Sequence, residues 1–204
     1  MRDRSFRQGA TSRLDDLIFR VRAGAVLAEL PVPASVVVDL GSGYDARFLR
    51  LARRTGRIAA GVAVDVSLDA SQPDGAVQLI EADLSTELPI QGSSVAATTS
   101  LAVLEHLDQP GVHLSEMYRI LRPGGVLIMT TPSVRSRRVL ELLAFRLNLI
   151  DAAEIRDHKH YYTEGELRTL LVHAGFANDS IRYRSFSLGM NQLVVAKKIG
   201  LGAM

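Results

Sequence analysis

The sequence predicts an α/β fold, a single doubly wound, mostly parallel seven-stranded sheet closed by a terminal antiparallel hairpin. Three observations lead there. Short apolar, β-branched runs alternate with helical patterns, beginning with Val36, Val37 and Val38, whose type suits a strand covered on both faces. The turn Gly41-Ser-Gly43 follows that run at once and opens a helix, so the strand delivers a loop where a ligand meets main chain rather than Cβ atoms. Near the other end, Ile181 to Leu188 and Met190 to Lys197 read as two strands turning at Gly189.

The 204 residues suffice for one domain with a substantial core and are few for two. We expect a single domain over 1–204, with an N-terminal helical cap at 1–30 and an insertion or lid segment at 134–162. The absence of cysteine excludes disulfides, zinc–thiolate sites and thiol catalysis. A net charge of +2 carries no nucleic-acid signature, and the arginines 47, 50, 53, 54 and 57 read as a solvated helix face without aromatic interleaving. Residues Met1 to Arg13 lack an apolar signal core, and no apolar run approaches the ~20 residues of a membrane span. A cytoplasmic location is expected.

In chain order, Ser12 to Leu30 places Leu14, Leu17, Ile18, Val21, Val26 and Leu27 at mostly helical spacing, ended by Pro31 and Pro33. This helix is expected over the mouth of the ligand site. The first strand ends in an acid, Asp39, and the helix after the glycine turn runs from about Ala46 to Arg54. Ile58 to Val66 is the second strand and ends at Asp65, whose carboxylate suits paired hydroxyls. Val77 to Asp83 is the third, again ending in an acid. Val95 to Leu101 is the fourth and leads into Ala102-Val-Leu-Glu-His-Leu107.

Val112 to Arg122 has helical spacing, and Pro123-Gly124-Gly125 turns the chain into a fifth strand, Val126 to Thr131. Arg137 to Ile150 is apolar nearly all round, which calls for burial on several sides, or else for a lipid-facing or dimer surface. Asp157 to Tyr162 is the densest polar and aromatic group, and Thr163 with Glu166 forms a capping box for the next helix.

Two ligands compete for the glycine loop. Gly41 to Ala46 fits Gly-x-Gly-x-x-Gly/Ala, with Asp65 about 20 residues on, which permits a nicotinamide-dependent oxidoreductase. Asp39 speaks against it, because an ionised carboxylate there repels a pyrophosphate and attracts a cationic group. With Asp39, Gly41, Gly43, Asp65 and the Arg-Pro-Gly-Gly turn together, the chain resembles the class I S-adenosylmethionine-dependent methyltransferases from about Val36 to Ser133.

The resemblance implies a Rossmann-like fold and the cofactor S-adenosyl-L-methionine. Asp39, Gly41 and Gly43 would hold its methionine part, Asp65 its ribose hydroxyls, and Asp83 and Leu84 its adenine, and Val66 and Ser100 complete the expected cofactor residues. The family usually has a third glycine where this chain has Asp45, a departure in the loop. The segment Ser100-Leu-Ala-Val103 lacks the Asn/Asp-Pro-Pro-Tyr pattern of nucleic-acid methyltransferases, while Leu-Glu-His is common among small-molecule ones. A small-molecule or glycan- or lipid-linked acceptor is therefore expected, methylated on oxygen, with no nucleic-acid partner.

A hydroxyl acceptor needs a base, for which His106, His158 and His160 are the candidates. The alternative for His158 and His160 is a place in a lid or, with Asp157, in a divalent-ion site, although their spacing is no recognised metal motif. A non-catalytic cofactor-binding partner subunit is the remaining class. Peripheral lipid contact through 137–150 and a monomeric or homodimeric state are both compatible with the sequence.

Overall fold

The computed structural model describes residues 13–31, 34–69, 71, 75–146 and 155–200. Seven strands form one sheet: β1 (Ala34–Leu40), β2 (Ile58–Asp65), β3 (Val77–Glu81), β4 (Val95–Leu101), β5 (Leu121–Pro132), β6 (Ile181–Phe186) and β7 (Asn191–Lys197). Their order is β3-β2-β1-β4-β5-β7-β6. β1 pairs in parallel with β2 and β4, and only β7 runs antiparallel to its two neighbours, β5 and β6. The doubly wound sheet with its closing hairpin is thus the predicted one. Because the order reverses between β1 and β4, their carboxyl ends flank the crevice where ligands settle in such sheets.

Helices cover both faces. The helices α1 (Arg13–Glu29) and α2 (Arg47–Arg54) lie over one face, where Ala23, Val26, Phe48, Leu49 and Ala52 meet Val37, Ala63, Ile128 and Leu193. On the other, α3 (Pro110–Ile120) joins Leu114, Met117 and Ile120 to the core around Val38, Val64, Leu127 and Met129. The helix Glu164–His173 adds Leu167 and Leu171 to the same cluster, behind the capping box of Thr163 and Glu166. The expected cap helix α1 is therefore chiefly a face helix, packed on β4, β5 and β7. Its outer residues still reach the start of α2, since Asp16 pairs with Arg47 and the Arg47 guanidinium lies 3.9 Å over the Phe19 ring.

Two segments depart from the sequence reading. The Arg-Pro-Gly-Gly stretch is part of β5, which pairs Val95 with Leu121 and then Ala97 with Val126, so the turn is a bulge inside a longer strand. The Gly124 N–H donates to the Lys198 carbonyl at 2.7 Å and ties the bulge to the chain beyond β7.

The predicted helix Arg137 to Ile150 begins as α4 (Arg137–Glu141) and widens into a π turn, Leu142–Arg146; its remainder lies outside the described residues. Leu140 and Ala144 are buried against a small cluster with Leu14, Ile18, Ile155 and Tyr161, whereas Val139 and Leu142 are exposed. No helix among the described residues is long and apolar enough to cross a membrane.

Candidate active site

One end of the site is made by β1, the glycine loop and β2. Gly41 and Gly43 have φ of +77° and +71°, in the left-handed region that favours glycine. The Gly41 and Ser42 N–H groups donate to the Val64 carbonyl at 2.8 and 3.2 Å. Asp65 then closes the loop: Oδ2 accepts from the Gly43 N–H and Oδ1 from the Val66 N–H, each at 2.8 Å. Each oxygen keeps a lone pair for a further donor, so the acid expected to take two hydroxyls retains that capacity.

Asp39 sits inside this end, 1% exposed, with Oδ1 accepting from the Thr99 hydroxyl at 2.6 Å. Burial, reinforced by the charge of Asp65 and opposed by the Thr99 bond, pushes its pKa up to about 7. Near pH 7 the carboxyl is divided between its two forms, and a cationic ligand group placed beside it would hold it ionised.

The other predicted cofactor residues take different places. Asp83 lies beyond the end of β3, exposed, and its Oδ1 accepts from the N–H and hydroxyl of Ser85 at 2.9 and 2.6 Å, bonds that lower its pKa. Leu84 is buried in the core, and Val66 is 48% exposed beside Asp65. Ser100 is buried, its hydroxyl 3.1 Å from Nε2 of His113. His113 is fully buried, and burial lowers its pKa to about 4, which favours the neutral ring.

The second end begins at the same edge of the sheet. After β4, Leu104–His106 forms a 3-10 turn, and Val103 packs onto Gly41 so closely that a Cβ there would lie 2.3 Å from Val103 Cγ2. His106 Nδ1 is 3.0 Å from Asp157 Oδ2, and the His158 ring stands edge-on to His106 at 4.8 Å between centroids. A carboxylate at Nδ1 fixes the tautomer with Nδ1 protonated and leaves Nε2 as the basic nitrogen. His158 Nδ1 is 2.9 Å from the Tyr161 hydroxyl; burial, with the charges of His106 and Arg22, lowers the His158 pKa to about 4.

Backbone contacts carry these side chains together across a long stretch of sequence. The Lys159 N–H donates to the Glu105 carbonyl at 2.7 Å, Tyr162 bridges to Ser133, and Gln192 Nε2 donates to the Tyr162 carbonyl at 2.9 Å. His160 is not brought into the group: its Nε2 lies 3.1 Å from Glu166 Oε1 on the surface. It borders instead a cavity of about 640 Å³ lined by Leu107, Pro110, Lys159, Tyr162 and Leu170, none of them a predicted cofactor residue.

Sequence reasoning missed Glu105. It is 1% exposed, with Oε2 accepting from Thr131 Oγ1 at 3.0 Å, and burial raises its pKa. The Glu-His pair enclosed by Leu104 and Leu107 was the available signal.

A family model described as a methyltransferase domain matches residues 10–181. A probable S-adenosylmethionine-dependent methyltransferase of Mycolicibacterium smegmatis is 35% identical over 74 residues, which span 35% of this chain and 29% of that protein. Among solved structures, a chain of the Haloferax volcanii complex formed with the Trm112 methyltransferase activator superposes with a TM-score of 0.70 at 19% identity, covering 94% of this chain and 100% of the other.

The 1,6-didemethyltoxoflavin-N1-methyltransferase of Burkholderia thailandensis, solved with that compound and S-adenosylhomocysteine, gives a TM-score of 0.64 at 21% identity, over 92% of this chain and 80% of its own. The glycine loop, the two strand-end acids, the strand order and the match over residues 10–181 agree, and the chain belongs to the methyltransferase-domain family of S-adenosylmethionine-dependent enzymes.

Proposed function

We propose that this chain transfers the methyl group of S-adenosylmethionine to a hydroxyl oxygen of a small-molecule or glycan- or lipid-linked acceptor, with His106 taking the hydroxyl proton. The observation that carries this reading is the His106–Asp157 pair, its imidazole buried and its carboxylate partly exposed, at the sheet edge that also presents the glycine loop. In this reading Asp39 meets the cationic methionine end, Gly41 and Gly43 offer main chain to it, and Asp65 binds the ribose. Asp83 and Leu84 meet the adenine, Val66 and Ser100 border the cofactor, and His158 lines the acceptor's approach.

The methyl carbon is already activated by the sulfonium, so alignment and water exclusion supply most of the rate. The acceptor oxygen forms a bond to carbon as the carbon–sulfur bond breaks, S-adenosylhomocysteine leaves, and the hydroxyl proton passes to His106 Nε2. Asp157, bonded at Nδ1, steadies the ring and the imidazolium that results. The exposed Val139 and Leu142 of the 137–146 segment support contact there with an apolar acceptor or a second chain.

The test is a methyl-transfer screen against sugars, lipid-linked glycans, quinone-like rings and polyketides, with the product located by mass spectrometry. An O-methyl product that His106→Ala abolishes is the expected result. A product methylated on nitrogen or carbon, or turnover indifferent to His106, overturns the oxygen assignment.

A further inference from the structure

Glu105, His106 and His158 each offer a ligand atom within 4.8 Å of the other two. Each also has a second atom held by a neighbour. Thr131 donates to Glu105 Oε2, Asp157 engages His106 Nδ1, and Tyr161 engages His158 Nδ1. What these bonds leave over is one carboxylate oxygen and two ring Nε2 atoms. Glu105 Oε1 is buried and has no hydrogen-bond partner among the described residues. A carboxylate oxygen orphaned in the interior is costly, and native structures nearly always satisfy it.

We infer that Glu105, His106 and His158 bind one divalent transition-metal ion. Ligands sharing an ion through bonds of ~2.0–2.2 Å stand at most ~4.4 Å apart, so shifts of a few tenths of an ångström close the group around it. The surrounding contacts have the form of an outer shell, in which a carboxylate or hydroxyl holds the far nitrogen of each ligating imidazole. Two imidazoles and one carboxylate select zinc, cobalt, iron or manganese over calcium or magnesium, which prefer oxygen donors.

Three protein ligands leave positions open for an exogenous oxygen.

Cation binding stands apart from the methyl-transfer reading; its catalytic consequence rests on that reading. The proton-accepting role given to His106 Nε2 belongs to the ion-free protein. With an ion bound there, the ion would take the place of that base by lowering the pKa of a coordinated acceptor oxygen, whose proton would leave to solvent.

The experiment titrates chelator-treated protein, free of any added histidine tag, with Co²⁺ and follows visible absorption, with Zn²⁺ competition and metal analysis for stoichiometry. One ion per chain is expected. Glu105→Gln and His158→Gln should lose affinity by at least the ~10- to 100-fold that removal of an outer-shell partner costs, and Asp157→Asn should fall in that range. His173→Gln, at the end of a surface helix, should bind as wild type does.

S-adenosylhomocysteine calorimetry on the same samples reports whether each variant is folded, and His158→Gln keeps the test open if Glu105→Gln is not. No saturable binding by the wild type, or binding unchanged in folded variants, overturns the site. Failure of wild type to bind S-adenosylhomocysteine would overturn the methyl-transfer reading and leave the cation result standing.

Discussion

The two ends of the site are built by opposite means. At the cofactor end, Asp39, Gly41, Gly43 and Asp65 come from one strand–loop–helix–strand unit, and backbone N–H groups make its defining bonds. At the acceptor end, His106 and Asp157 are 51 residues apart, and side chains make the contact. A loop shaped by glycine dihedrals and main-chain bonds accepts little change without losing the ligand. A cluster assembled by a distant segment can be re-aimed by altering that segment, which suits the part of an enzyme that chooses its acceptor. Damage should accordingly appear as lost affinity at the first end and lost turnover at the second.

The largest effect separates the two ends most sharply. His106→Ala should lower turnover by roughly 10²- to 10⁴-fold while S-adenosylhomocysteine affinity, read by calorimetry, stays at the wild-type value. Retention of near-normal turnover would mean that proximity alone drives transfer. Next, Asp65→Ala should weaken S-adenosylmethionine by about 2 to 4 kcal/mol, since it removes charge-assisted bonds to the ligand and frees the Gly43 and Val66 N–H groups. Unchanged affinity there would sink the ribose assignment.

A smaller effect tests Asp39 through pH. Its pKa is raised to about 7, so protonation favours the unliganded fold; that contribution is full below the unfolded value of 3.8 and is lost as pH rises through 7. A bound ammonium group, which S-adenosylhomocysteine carries on its amino-acid end, reverses the preference. Binding of S-adenosylhomocysteine at pH 6 should release about 0.9 proton, seen as a buffer-dependent heat, and affinity should rise roughly tenfold from pH 6 to 8. Asp39→Asn should flatten both responses, and a dependence that survives it would place the titrating group elsewhere. The smallest effect concerns Leu142, 49% exposed: Leu142→Ser should move stability by no more than about 0.5 kcal/mol while shifting acceptor KM or the mass seen in light scattering. Cooperative unfolding of that variant would make the segment ordinary core.

The same contrast explains what could be read from the sequence. The strands, the hairpin and the loop between β1 and α2 were legible because period, glycine and strand-end acids are local signals. The β5 bulge was not, since Pro123-Gly124-Gly125 looks like a turn until Val126 is seen in register with Ala97. The π turn at Leu142–Arg146 likewise leaves no mark in the apolar pattern. At the acceptor end all three histidine candidates were visible, but Asp157 meeting His106, and Glu166 holding His160 away, depend on how a distant loop lies down. Asp39 was found correctly by position, although its charge state depends on burial that no single residue announces.

The contact between Gly41 and Val103 joins the two ends mechanically. A Cβ added at Gly41 would lie 2.3 Å from Val103 Cγ2, so any larger residue there would press on the turn that carries His106 three residues on, and a substitution in the cofactor loop would be felt at the acceptor end.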